Sequence, residues 1–146
     1  MPDNEEGSLN FHYAEFVIEA GKIKEFAQAI GLVNPIYFNK EAALLQGFKN
    51  IPVPPTFATV IDFWNDHGFY QLFGFLKLHP ENVLHGEQSF EYVETMYAGD
   101  RISAVVTIKE ISHKYGKTFY FLETIYKNQL SETVMLNHAT LIEVGL

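Results

Sequence analysis

The spacing of hydrophobic residues changes between the first and the second half of the chain. Residues 22–30 (KIKEFAQAI) place their apolar side chains on one helical face, and Gly31 follows as a stop signal. Beyond Asn82, apolar and polar residues alternate instead, which is typical of strands with one exposed face. This order predicts helices first and an antiparallel sheet afterwards.

Two further helices and a short strand are predicted in the first half. Residues 39–46 (NKEAALLQ) favour a helix because Asn39 suits its N-cap and Gly47 its end. Residues 56–63 (TFATVIDF) begin after two prolines and are apolar nearly all round, as expected of a helix buried on most sides. Residues 16–18 favour a short strand.

Four segments in the second half alternate as strands do, and Gly- or Asn-containing turns separate them; the segments are 89–95, 101–111, 118–126 and 133–144. The predicted fold class is therefore α+β, with the sheet wrapped around a buried helix. One helix cannot cover both faces of so long a sheet. We therefore expect a dimer formed through sheet edges or faces.

The length of 146 residues predicts a single domain, residues 1–146, in which the acidic residues 1–10 form a flexible terminus. Aromatic residues make up 15% of the chain, with 13 Phe and 8 Tyr. Such an excess serves core packing, or else lines a ligand tunnel or a large dimer interface.

Charge and composition narrow the class of function. The formal net charge of −8 disfavours nucleic-acid binding, which needs a basic surface. The absence of cysteine excludes disulfides, iron–sulfur ligation and thiol catalysis within the chain. The first residues do not resemble a signal peptide, and no apolar run reaches the roughly 18 residues of a membrane span. We expect a soluble cytoplasmic protein that needs no cofactor and binds no membrane.

Histidine is the natural acid or base near neutral pH, but none of the six histidines has a metal-ligand spacing. His85 stands out because Gly86 follows it at the start of a strand, within the sequence LHGEQ (84–88). Glycine permits close backbone approach at that point. His85 is therefore either a hydrogen-bonded residue at the strand start or a pocket residue that contacts a ligand.

The start of the helix 56–63 offers a second chemical feature. Backbone N–H groups of Thr56 and the residues just after it can receive a carbonyl oxygen and stabilise negative charge there. Asp62, inside the same helix, is either a carboxylate base or a residue pointing to a polar edge or interface, because a buried carboxylate would need a partner.

Taken in order, these residues resemble the MaoC-like dehydratase superfamily, and in particular its N-terminal-type, or FAS1-like dehydratase, branch. The resemblance extends over residues 26–142 and is carried by an ordered series of short motifs: Asn34-Pro35-Ile36-Tyr37, Ala42-Ala43, Gly47-Phe48, Pro54-Pro55-Thr56-Phe57, His85-Gly86-Glu87-Gln88, Phe90 and Ala98-Gly99-Asp100. It implies a hot-dog fold, in which a curved antiparallel sheet wraps a long central helix and pairs with a second such unit. It also implies action on (3R)-3-hydroxyacyl or trans-2-enoyl thioesters of coenzyme A or acyl carrier protein.

The resemblance locates the catalytic dyad of the superfamily in the loop after the first helix. Catalytic members read Asp-x-Asn-Pro-x-His there, whereas this chain has Leu32 and Tyr37 at the two chemical positions. Leucine cannot exchange a proton, and a phenol is a poor base near neutral pH. We therefore assign no catalytic residue with confidence. The expected substrate-binding residues are Asn34, Tyr37, Pro55, Thr56, Phe57, His85 and Gly86.

In this superfamily, a subunit that lacks the dyad commonly pairs with a subunit that has it. The leading hypothesis is therefore that this chain is a dehydratase or hydratase subunit that shapes the acyl channel for a catalytic partner. Two alternatives stay within the same fold. The first is an acyl-CoA thioesterase using Asp62, Glu87 or Glu94, and the second is a non-catalytic homodimer that binds acyl thioesters or lipids. A fourth, weaker alternative is a different α+β fold with an aromatic pocket, such as a ketosteroid-isomerase-like domain.

Overall fold

The alternating segments form one antiparallel sheet in the computed structural model, which describes residues 9–145. Six strands are present in this part of the chain: β1 Leu9–His12, β2 Phe16–Val17, β3 Val83–Tyr92, β4 Arg101–Lys114, β5 Lys117–Lys127 and β6 Thr133–Glu143. Their order across the sheet is β1-β4-β5-β6-β3, and the short β2 pairs with β4. The four long strands agree with the four predicted segments. Strand β3 begins before the alternating segment 89–95 and includes His85, which was predicted to lie at the start of a strand, and it ends at Tyr92.

The first half of the chain is helical, as its hydrophobic spacing predicts. The helices of the described residues are α1 Ala20–Ala29, α2 Lys40–Leu45, α3 Ala58–Phe63 and α4 Phe69–Leu76, with 3₁₀ turns at Pro35–Tyr37 and Pro80–Asn82. The predicted cap of α2 is confirmed, because the side-chain oxygen of Asn39 accepts the amide of Ala42 at 2.9 Å. Gly47 follows with a φ of 90°, a left-handed conformation that glycine adopts without strain.

The expected long central helix consists of two segments, α3 and α4, separated by residues 64–68. Gly68 sets the junction because a Cβ atom at this position would lie 2.4 Å from the carbonyl oxygen of Asp62 and 2.7 Å from Cβ of Asn65. Asn65 secures the turn, accepting the amide of His67 at 2.9 Å and donating to the carbonyl of Ala14 at 2.8 Å. The buried α4 was not predicted, since its sequence FYQLFGFL shows no polar face clear enough to separate helix from strand.

The sheet and the central helical segments enclose the core. Alternate residues of β4 face inward and are almost completely buried: Ile102, Ala104, Val106 and Ile108. From the helical side, Phe57, Ala58 and Ile61 pack against this face, and the ring of Phe57 contacts Phe26 of α1 edge-on at 5.7 Å. The antiparallel sheet around a buried helical layer confirms the predicted α+β fold class.

The predicted flexible terminus, residues 1–10, lies mostly outside the described residues. Its last two residues, however, are part of β1, where Leu9 and Asn10 pair with Ile108 and Thr107. The side-chain oxygen of Asn10 accepts the Thr107 hydroxyl at 2.8 Å, and Phe11 is buried, so these residues are anchored to the sheet. Among the described helices, none has the length and apolar character of a transmembrane span.

Candidate functional site

The loop between α1 and α2 is held by its own hydrogen bonds. The side-chain oxygen of Asn34 accepts the amide of Ile36 at 3.2 Å, and its carbonyl accepts the amide of Tyr37 at 3.2 Å. Asn34 has extended backbone angles, as expected for a residue before proline. Leu32 is half-buried, with its amide bonded to the carbonyl of Ala27, and the half-buried Tyr37 packs against the core. These hydrogen bonds shape the loop, and Leu32 and Tyr37 occupy the two positions to which the resemblance assigns the dyad.

A cleft of about 330 Å³ lies where the chain leads into α3. Its walls are largely apolar and include Val53, Pro54, Pro55, Val93, Met96 and Met135. The hydroxyl of Tyr92, at the end of β3, donates to the carbonyl of Pro55 at 2.8 Å and so ties the strand to this loop. Glu94 also lines the cleft. A cleft of this size and polarity fits a short apolar chain better than a charged ligand.

The start of α3 has fewer free backbone N–H groups for a ligand than the sequence suggested. The amide of Phe57 donates to the carbonyl of Pro54 at 3.0 Å and is therefore already used. The side chain of Phe57 is completely buried in the core, and Thr56 is exposed. The helix itself has only six residues.

His85 and Gly86 lie at a bulge in the pairing of β3 with β6. The register shifts between His85 and Glu87, and a Cβ atom on Gly86 would lie 2.8 Å from Cδ1 of Ile142. The His85 ring is exposed on one side and stacks on Phe69 of α4 with ring centroids 5.7 Å apart. This glycine therefore allows β6 to approach closely, as its position in the sequence indicated.

The predicted site residues do not converge on one pocket. Pro55 lines the cleft beside α3, whereas His85 lines a second, smaller cavity between α3 and the sheet. Asn34 and Tyr37 line neither of these two spaces.

The second cavity, about 30 Å³, is built around the carboxyl group of Asp62. Asp62 is 4% exposed and lies in the core, which contradicts one of its two predicted interpretations, a position at a polar edge or interface. The hydroxyl of Tyr126 donates to its Oδ1 at 2.5 Å, and Tyr13 is its second hydrogen-bonding phenol. These two tyrosines are the partners that a buried carboxylate requires. One of these two partners was indicated by the sequence, because Tyr126 occupies an inward-facing position of a predicted strand.

Burial raises the pKa of Asp62 to about 7, although the hydrogen bonds from Tyr126 and Tyr13 act to lower it. Burial and the nearby carboxyl group raise the pKa values of both phenols, so they remain protonated donors. Near neutral pH the protonated and ionised forms of this carboxyl group are therefore both populated. Among the acidic side chains of the described residues, Asp62 has the clearest change in pKa.

Asn137 completes the polar group in the core. It lies on β6 directly opposite Thr124 of β5, and both side chains face the helical layer, buried to about 95%. Asn137 donates a side-chain hydrogen bond to the phenol oxygen of Tyr126, but its Oδ1 atom has no partner among the described residues. This second cavity is lined by Tyr13, Thr59, Asp62, Phe63, Phe69, His85, Gln88, Val106, Leu122, Thr124, Asn137 and Ala139.

This fold is shared by solved structures that are named as dehydratases. The structure superimposes on one chain of the HadBC (3R-hydroxyacyl-ACP dehydratase) complex of Mycobacterium tuberculosis with a TM-score of 0.81 and 23% identity, covering 96% of this chain and 97% of that chain. A MaoC-like dehydratase of Rhodospirillum rubrum gives a TM-score of 0.74 and 17% identity, covering 94% and 91%. The ChsH1–ChsH2 complex of M. tuberculosis gives 0.73 and 17%, covering 94% and 84%. The chain therefore has the hot-dog fold of these structures, as the sequence predicted.

Sequence comparison identifies the family within this class. Residues 8–137 match the model of the FAS1-like dehydratase domain region, and the chain belongs to this family. A UPF0336 protein of Saccharopolyspora erythraea is 32% identical over 124 residues, which cover 85% of this chain and 79% of that protein. A second, from Streptomyces avermitilis, is 39% identical over 95 residues, covering 65% of this chain and 63% of the relative.

Proposed function

We propose that the chain is a subunit of a (3R)-hydroxyacyl-thioester dehydratase or enoyl-thioester hydratase, in which it shapes the acyl channel and a partner subunit supplies the acid and base. The single observation that carries the proposal is an ordered Asn34–Tyr37 loop with Leu32 and Tyr37 at the dyad positions. The loop keeps the internal hydrogen bonds that shape it and lacks the two side chains that would move a proton.

The edge strand β3 supports pairing with a second subunit. Within the described residues β3 is bonded to β6 on one side, and its other edge is open. Leu84 and Tyr92 are each more than half exposed along this strand. An open edge with exposed large apolar side chains favours strand pairing with another chain. Two of the structural neighbours are themselves named as two-component complexes, HadBC and ChsH1–ChsH2.

The cleft beside α3 supports an acyl ligand. Its walls of proline, valine and methionine match an alkyl chain, and methionine adapts its shape to different ligands. Pro55 lies on this wall, and the bond from Tyr92 to its carbonyl links the cleft to the edge strand where the partner would bind. The ligand we propose is therefore an acyl thioester of coenzyme A or acyl carrier protein.

The test is an enoyl-thioester hydration assay of the purified chain, alone and mixed with a small protein that carries the intact Asp-x-Asn-Pro-x-His loop and is encoded beside it. We expect little turnover from either chain alone and strong hydration from the mixture, together with a heterodimer by native mass spectrometry. Strong hydration by this chain alone that is lost on changing His85 or Tyr37 would contradict the proposal. Thiol release that depends on Glu94 would indicate a thioesterase, and saturable binding without turnover or partner would indicate a binding homodimer.

A further inference from the structure

A groove with accessible apolar walls lies between α1 and α3 and shares no lining residue with the cleft at the start of α3. Phe26 and Ala29 of α1 form one wall, and Val60 of α3 forms the other together with Trp64, one helical turn later. Trp64 is 76% exposed, which is unusual for so large an apolar ring. This α1–α3 groove has a volume of about 420 Å³, within the range of sites that hold small organic groups.

One end of the α1–α3 groove is acidic. A smaller space of about 180 Å³ adjoins the groove and shares Lys22 and Trp64 with it. Four carboxyl groups line the two spaces: Glu15, Glu19, Glu25 and Asp66. Two cations lie among them, Lys22 and Arg101, and Arg101 is bonded to Glu15 at 3.1 Å. The excess of carboxyl groups beside an exposed indole fits an aromatic side chain that has positive charges next to it.

The turn between β4 and β5 presents that combination of side chains. Tyr115 and Gly116 form the turn, and Lys114 and Lys117 pair with each other at its base. Tyr115 is 94% exposed, and both lysines are exposed as well. This β4–β5 tip, residues 114–117, therefore places an aromatic ring between two positive charges, in a chain whose formal net charge is −8.

The backbone of the β4–β5 tip shows that the turn itself does not favour a tyrosine. Both central residues have positive φ, 54° at Tyr115 and 71° at Gly116, as in the type I′ turns that join twisted strands. Asn, Asp and Gly dominate the first of these positions, because a bulky side chain is strained at positive φ. The ring of Tyr115 is almost fully exposed, so packing within the described residues does not compensate for this strain. A contact with another molecule would compensate for it.

We propose that the β4–β5 tip of one copy of this chain binds the α1–α3 groove of another copy, with the Tyr115 ring against Trp64 and the two lysines beside the carboxyl groups. Apolar surface then meets apolar surface, and positive charge meets excess negative charge. One copy contributes the tip and the other the groove, so the contact is heterologous and can continue from copy to copy. It includes neither the β3 edge nor the cleft at the start of α3, and so it goes beyond the proposed function.

The contact is small, and its size sets the expected strength. The tip comprises four residues, far fewer than the roughly 20–30 residues per side of a stable interface. We therefore expect a dissociation constant on the order of 10⁻⁴ M, which weakens as salt screens the charges.

Trp64 is the single tryptophan of the chain, so its fluorescence reports on the groove directly. The test mixes two variants of the whole chain. Tyr115→Asn keeps the groove and suits the turn, whereas Trp64→Ala keeps the tip and contains no tryptophan. Both changes are at exposed positions, so both variants should fold. Adding Trp64→Ala to Tyr115→Asn should shift the Trp64 emission to shorter wavelength, because the tip removes the indole from water. The double variant, which has neither ring, is the control titrant and should leave the emission unchanged.

Charge reversal tests the ionic part of the contact. Lys114→Glu with Lys117→Glu, introduced into the titrant, should weaken binding about tenfold or more, because like charges then meet at the acidic end of the groove. Lys40→Glu with Lys49→Glu makes the same change in net charge at exposed lysines outside the tip. This control should leave the dissociation constant within about twofold.

A second reversal in the groove should restore the contact. Glu19→Lys with Asp66→Lys in the fluorescent variant should recover binding of the titrant whose tip lysines are reversed. Unchanged Trp64 emission up to about 1 mM titrant would overturn the inference, as would an equal shift from the double variant or equal weakening by the two pairs of lysine changes. None of these measurements involves hydration of a thioester, so failure here leaves the proposed function intact, and failure of the hydration assay leaves this inference intact.

Discussion

The hydroxyl of Tyr126 donates to the carboxyl group of Asp62 at 2.5 Å and joins the central helix α3 to strand β5 inside the core. Both residues are almost fully buried. This bond links three properties of the protein: the position of the helix on the sheet, the proton affinity of the carboxyl group and the polarity of the adjacent cavity.

Asp62 should make stability depend on pH. Its pKa is about 7 in the folded protein and 3.8 as a reference for the unfolded chain, so the folded state holds the proton more tightly. The stability that protonated Asp62 contributes is complete below about pH 4 and is lost as the pH rises to about 7. Relative to wild type, Asp62→Asn should therefore become more stable by about 1.4 kcal/mol per pH unit across this window. Urea unfolding of both proteins at several pH values measures the difference. A constant difference would show that Asp62 ionises normally.

Removing the Tyr126 hydroxyl should raise the pKa of Asp62 further, because this hydrogen bond lowers it. Tyr126→Phe keeps the ring in place and leaves Tyr13 as the carboxyl's phenol partner. We expect a loss of about 1–3 kcal/mol in unfolding free energy and a shift of the pH-dependent window to higher pH. NMR titration of the Asp62 side-chain carbon reports the pKa directly. Tyr120→Phe, on the same strand but partly exposed, is the matched control and should leave that titration unchanged.

Gly68 and Gly74 should respond in opposite ways to alanine. At Gly68 a Cβ atom would lie 2.4 Å from the backbone carbonyl of Asp62, which cannot move without shifting α3. We expect Gly68→Ala to destabilise the protein by about 3 kcal/mol and to perturb the Asp62 titration. Gly74 lies within α4 with open space around it, so Gly74→Ala should stabilise by about 0.5–1 kcal/mol. Thermal unfolding of the two variants checks both signs, and similar effects at the two positions would contradict the geometry.

The ordered loop after α1 should accept the missing acid and base. Leu32→Asp with Tyr37→His recreates the dyad pattern within a turn whose hydrogen bonds come from Asn34. If the acyl channel is complete in this chain, the double variant should hydrate enoyl thioesters about 10²–10⁴-fold faster than wild type. Each single variant is the control and should gain far less, since the two groups act together. No gain from the double variant, with the loop intact by NMR, would mean that the channel itself is incomplete without the partner.

Local patterns in the sequence determined the elements that depend on local forces. The alternation in residues 101–111 marks the inward face of β4, and Asn39 with Gly47 marks both ends of α2, because side-chain alternation and helix capping act over a few residues. The residues at the two positions to which the resemblance assigns the dyad, Leu32 and Tyr37, could also be read from the sequence. Residue identities can be read from the sequence without knowledge of the fold, whereas residue environments cannot.

Only the tertiary structure decided what surrounds Asp62. Its partners Tyr13 and Tyr126 lie 49 and 64 positions away along the chain, and a sequence pattern that spans a few residues cannot bring them together. The division of the central helix at Gly68 arises from a shorter-range contact, because a Cβ atom there would meet Asp62 and Asn65 in the turn between α3 and α4. The burial of Asp62 and its hydrogen bonds depend on residues that are distant along the chain, and the burial raises its pKa.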